Sequence, residues 1–159
     1  MAAAEAAFQK SLSAFAAIDD RWGEAYARQM IAWTLYNRGA IRACLKEIRR
    51  VLPVRRALGE PRGIAESLLG LAMCTCALGD FEEGLAAARE ELAYSQASGE
   101  RRTVADNLGI LAQIYLLMGQ LEKSASHAWE SLSLHQELGM PMWIALEECV
   151  GTSEVSLHQ

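Results

Sequence analysis

Three stretches of this sequence, RWGEAYARQMIAWTLYNRGA (21–40), PRGIAESLLGLAMCTCALGD (61–80) and RRTVADNLGILAQIYLLMGQ (101–120), align without a gap at a period of 40 residues. Ala25, Ala65 and Ala105 share a column, as do Ala32, Ala72 and Ala112, and Gly39, Gly79 and Gly119. The stretches between them align too, with Leu52, Leu92 and Leu132 in one column and Gly59, Gly99 and Gly139 closing each unit. Residues 1–20 match the second half of the unit, with Leu12 in the Leu column, and 141–159 match the first half, with Ala145 in the Ala column. A period of this length marks a stack of like supersecondary units, each in contact with its neighbours.

Each unit is two segments closed by glycine. Apolar residues fall at i, i+3, i+4 and i+7, the stripe of an amphipathic helix. Glycine past the last turn adopts most readily the left-handed conformation that ends a helix. Pro61 and Pro141 suit the first turn of the helix that follows. The spacing predicts eight helices, at 1–18, 21–38, 41–58, 61–78, 81–98, 101–118, 121–138 and 141–157. Short links make neighbours antiparallel. Small residues at Ala32, Ala72 and Ala112, and at Cys44, Gly84 and Ser124, let helix backbones approach closely. Pro53, inside 41–58, removes the bond to the Arg49 carbonyl and is expected to kink that helix. The domain reading is one repeat domain over 1–159: a half unit at 1–20, full units at 21–60, 61–100 and 101–140, and a half unit at 141–159.

The columns Leu71-Ala72, Gly79-Asp80 and Gly84, and again Leu111-Ala112, Tyr115, Gly119 and Ser124, resemble the tetratricopeptide repeat. The 40-residue unit is similar to the repeat arrays of bacterial LuxR-type regulators and related signal-transduction ATPases. The resemblance implies an all-α fold, a right-handed α-solenoid of antiparallel helix pairs. It also implies that the first helices of the units line a concave groove where partners bind. By column, the groove residues are Tyr26, Gln29, Trp33, Tyr36 and Asn37 from the first unit, Glu66, Leu69, Met73 and Cys76 from the second, and Asp106, Gly109, Gln113, Leu116 and Leu117 from the third. Trp33 and Tyr36 are the expected anchors, since large aromatics dominate binding energy where they enter a pocket. Trp22 edges the groove at the same end.

Composition narrows the function classes. Hydrophobic residues make up 52% of the chain, so it can bury a core. No apolar run reaches the roughly 18 residues that a membrane helix needs. Glu5 sits where a signal peptide carries positive charge, so the four cysteines are expected in a reducing, cytoplasmic compartment. Net charge is −5, which disfavours nucleic acid. The charge is lopsided: residues 1–80 hold 11 Lys/Arg against 8 Asp/Glu, and residues 81–159 hold 4 against 12.

The candidate chemistry is thin. Cys74 and Cys76 point about 200° apart on a helix and cannot grip one metal together. Cys44 falls in the small-residue column and Cys149 in the column of Leu69, so the cysteines read as space-filling residues. His127 and His135 are two helical turns apart, and no serine has a Gly-x-Ser-x-Gly context. The expectation is therefore no catalysis, no metal and no cofactor. The run IRACLKEIRRVLPVRR concentrates Arg42, Lys46, Arg49, Arg50, Arg55 and Arg56. It reads as the outer, solvated face of a second helix, or else as a site for phosphate or an acidic partner. Two function classes remain. One is a scaffold holding a peptide or partner helix in the groove. The other is the ligand-sensing module of a transcriptional regulator, which a closed pocket among Tyr26, Trp33, Met73 and Gln113 would favour. Apolar end helices, with Phe8, Leu12, Phe15 and Ile18 at one end and Trp143, Ile144 and Val150 at the other, suggest a homodimer.

Overall fold

The computed structural model describes residues 2–140, with side chains from Glu5 onward. Among the described residues there are seven helices and no strand: α1 (Ala2–Ala17), α2 (Arg21–Asn37), α3 (Ile41–Leu58), α4 (Pro61–Ala77), α5 (Phe81–Ser98), α6 (Arg101–Leu117) and α7 (Leu121–Glu137). The eighth expected helix, 141–157, lies outside the described residues, as do Trp143, Ile144 and Val150. The contacts divide the chain into two compact units, residues 1–91 and 92–159, with the boundary inside α5.

The helix ends follow the glycine column. Gly39, Gly59, Gly79, Gly99, Gly119 and Gly139 all have left-handed φ, between 64° and 87°. Asp19 takes the same place between α1 and α2 at φ 57°, the one non-glycine residue in that region among those described. Asp20 then caps α2, its carboxylate accepting from the Gly23 amide at 2.9 Å. Pro61 opens α4, where a missing amide hydrogen costs nothing. Pro53 is exposed, and α3 continues past it to Leu58.

In the first unit, α1 packs on α2, α2 on α3, and α3 on α4. Leu12, Ala27 and Ile31 form a core cluster onto which Phe8, Phe15 and Leu35 pack. Most of the apolar face of α1 is thus used against α2, and Ile18 is left 72% exposed. Helix-interior glycines set the closest approaches. A Cβ on Gly23 would run into the Phe15 ring, and one on Gly63 into the Arg55 guanidinium. Gly23 and Gly63 share a repeat column, and so do Phe15 and Arg55. The same geometry therefore recurs one period on with different chemistry.

That recurrence corrects one expectation. The basic run of α3 reads as solvated, yet Arg55 within it is 2% exposed. It occupies the column that Phe15 fills one unit earlier, which faces inward. Its Nη1 donates to Glu66 Oε2 at 3.1 Å. In the second unit α6 packs on α7. Leu108, Leu111, Ala112, Ile114 and Tyr115 are buried there, with Leu132 from α7.

Candidate partner-binding surface

On α2 the aromatic residues fall at positions that the helical repeat brings to neighbouring faces. Trp22 and Tyr26, one turn apart, stack with ring centroids 5.6 Å apart and planes 8° from parallel. They are 50% and 42% exposed. Trp33 and Tyr36 meet edge-to-face at 6.2 Å, both half-buried, and Asn37 beside them is exposed. Leu69, Met73 and Cys76, on α4, are half-buried. Burial raises the Tyr36 hydroxyl pKa, and the nearby Cys74 and Cys44 thiols push it further up.

Several of the polar residues expected in the groove are engaged within the chain. Gln29 is fully buried. Its carbonyl oxygen accepts from the Ser67 hydroxyl at 2.9 Å, tying α2 to α4. Glu66 is held by Arg55 and, at 3.3 Å, by Arg62. Asp106 accepts from His135 Nε2 at 3.1 Å, with Arg102 at 3.9 Å. On α6, Gln113, Leu116 and Leu117 are exposed and Gly109 is half-buried.

Sequence reasoning missed the His135 contact. His135 is 1% exposed, and its Nδ1 lies 3.4 Å from the Ser131 hydroxyl. Serine, histidine and aspartate in a row invite comparison with a hydrolytic triad. Here Ser131 is fully buried and donates its proton to the Ala105 carbonyl at 2.7 Å. The arrangement joins α7 to α6 and offers no exposed nucleophile. The signal for it was the repeat column: His135 lies 80 residues after Arg55 and in the same column.

Cys44 and Cys74 fill buried positions, and they also meet one another. The close partner of Cys74 is Cys44 on α3, with the sulfurs 3.2 Å apart and both residues fully buried. The hydrogen bond to Cys74 and burial hold the Cys44 thiol up, and the same bond pulls Cys74 down. Cys76 is half-buried against Gly84, and burial followed by the charge of Asp80 raises its pKa. Among the described residues no three His, Cys, Asp or Glu side chains are grouped to hold a metal, and no helix is long and apolar enough to cross a membrane.

No protein-family model matches the chain, and no curated protein matches it. Its likenesses are structural. A Rap protein complexed with Competence and Sporulation Factor superposes with a TM-score of 0.81 at 17% identity, over 90% of this chain and 40% of that one. The tetratricopeptide domain of Arabidopsis FLU gives 0.70 at 18% identity, over 74% of this chain and 98% of the other. A signal-transduction ATPase with numerous domains and a tetratricopeptide repeat sensor, from Pyrococcus horikoshii, gives 0.73 at 19% identity, over 81% and 20%. The chain spans 33% of the aspartyl phosphate phosphatase F structure from Bacillus subtilis and 40% of the Rap structure. At these identities the likeness is one of architecture, and the fold is an all-helical, tetratricopeptide-like repeat.

Proposed function

We propose that this chain is a non-catalytic interaction module that binds a peptide or a partner helix on the first-helix face of residues 1–91. The observation that carries the reading is the aromatic content of α2. Trp22 and Tyr26 are stacked on each other and half open to solvent, one turn apart, with Trp33 and Tyr36 further along. Aromatic residues anchor interfaces because they bury much area while losing few rotamers. Asn37, Leu69 and Met73 complete the surface on this unit; Gln113, Leu116 and Leu117, exposed on α6, are a separate candidate stretch on the second unit. Gln29, Glu66 and Asp106 position neighbouring side chains and contribute less to binding. A Rap protein of the same fold has been crystallised with a bound factor, which supports a ligand-carrying role for the architecture.

The test is selection of peptides from a display library on the intact chain, followed by affinity measurement on variants. Trp22→Ala and Trp33→Ala are each expected to weaken the selected peptides by about 2 kcal/mol, whereas Lys10→Ala leaves them unchanged. Peptides indifferent to both tryptophans would overturn the proposal.

A further inference from the structure

A cavity of about 380 Å³ opens beside the first half of α3, lined by Arg42, Leu45, Lys46, Arg49, Arg50 and Leu78. Four of its six lining residues are cationic, in a chain of net charge −5. Two of the four are already neutralised. Arg49 donates to Glu83 at 2.6 Å and Arg50 to Glu47 at 2.7 Å. Arg42 and Lys46, one turn apart and both exposed, have no carboxylate partner among the described residues.

The missing partner has a structural cause. Arg42, Arg49 and Arg56 recur at intervals of seven along α3, and Glu83 and Glu90 recur at the same interval on α5. Glu83 pairs with Arg49 and Glu90 with Arg56. The next place in the acidic row falls at Cys76, which belongs to α4. At the level of Arg42 the neighbour is Leu78, at the end of α4. The repeat template does not demand these charges either. The column of Arg42 holds Glu82 and Glu122 in the later units, and that of Lys46 holds Ala86 and Ser126.

We infer that this cavity binds a phosphate monoester. Two uncompensated cations one turn apart match a single dianionic group, and guanidinium and ammonium donors together suit phosphate oxygens. Leu45 and Leu78 give the ester's organic body an apolar floor. The site lies on α3, apart from the aromatic face of α2, and does not rest on the peptide-binding proposal.

The experiment is calorimetric titration of the intact chain with phenyl phosphate and with benzoate, which share a ring and differ in their anionic group. Phenyl phosphate is expected to saturate the protein and to bind about tenfold or more tightly than benzoate, in keeping with charge-assisted hydrogen bonds. Arg42→Gln and Lys46→Gln should each weaken phenyl phosphate severalfold while leaving the melting temperature unchanged. Lys10→Gln, a charge removed from α1, should change nothing, and neither should Trp22→Ala. Three results would overturn the assignment: no saturable binding at millimolar phenyl phosphate, equal affinity for benzoate, or an equal loss in Lys10→Gln.

Discussion

Removing Glu66 should destabilise the first unit more than removing the buried arginine it holds. Arg55 is 2% exposed, its Nη1 lies 3.1 Å from Glu66 Oε2, and its Nε has no hydrogen-bond partner. At an effective dielectric near 20, charges about 4 Å apart attract by ~4 kcal/mol. Desolvation of the guanidinium consumes most of that gain, so the intact pair is close to neutral. In Glu66→Ala the desolvation cost remains and the attraction is gone. Breaking a fully buried pair costs about 3–5 kcal/mol. The Glu66 side chain is 37% exposed, which screens its share and brings the expected loss to about 2–3 kcal/mol. Arg55→Met removes the buried charge itself. Glu66 keeps solvent and Arg62, and Met fills much of the arginine stem's volume, so the cost is about 1 kcal/mol. Urea titration followed by far-UV circular dichroism measures both. If Arg55→Met costs as much as Glu66→Ala, the guanidinium serves the fold through packing, and the charge argument fails.

A Cβ on Gly84 meets the Cys76 sulfur and lies 3.3 Å from the Ala72 carbonyl oxygen. Gly84→Ala should therefore destabilise by about 1 kcal/mol, strain exceeding the helix-propensity gain, and adding Cys76→Ala should recover most of that loss; an unchanged melting temperature in the single variant would show the contact to be slack. Cys44 and Cys74 are fully buried, so alkylation with iodoacetamide should reach Cys76 before either of them, and mass spectrometry of partly labelled protein gives the order of these three. The raised pKa of Cys76 keeps it protonated above the ordinary thiol range, so its labelling should be slow near pH 8 and accelerate only at higher pH; a free-cysteine rate at pH 8 would contradict this. Leu111→Asp places a carboxylate where the side chain is 1% exposed and should abolish the cooperative melting of residues 92–140, as judged by circular dichroism.

The helix boundaries were legible because glycine spacing encodes them. The expected spans 41–58 and 81–98 coincide with α3 and α5, and each expected span from α2 to α7 ends within a residue of its helix. Each of those links needs a left-handed residue, and only glycine adopts that conformation without cost. What escaped was the fate of polar residues in inward columns. Gln29 shares its column with Leu69 and Gly109, and Arg55 with Phe15. Phe15 points inward, yet residue type argued for solvent at Arg55, and the column of Gln29 reads as groove although Gln29 itself is fully buried. Periodicity states which way a side chain points, not which partner waits there. Glu66 lies 11 residues ahead of Arg55, whereas Asp106 lies 29 behind His135. Both carboxylates occupy one column, so a buried base in the neighbouring column turns toward whichever flanking helix carries the acid. The Cys44–Cys74 contact was equally invisible, because it joins two columns that are cysteine in one unit each.

The arginine–glutamate row between α3 and α5 favours one order of these two helices. Tandem repeats of near-identical backbone invite duplication, deletion and exchange of units, since any unit could stack on any other. Here the contacts act as a key. Arg49 and Arg56 on α3 meet Glu83 and Glu90 on α5. Counting by column, the places of Arg49 and Arg56 are held in α5 by Arg89 and Gln96, and those of Glu83 and Glu90 are held in α3 by Ala43 and Arg50. With residues 41–60 and 81–100 exchanged, Arg89 would face alanine and Gln96 would face arginine, and both ion pairs would be lost. A recombined gene would encode the same helices at the same spacing, yet its neighbours would no longer match. Surface charge can thus weigh against exchange of these two helices, by about 1 kcal/mol or less for each pair.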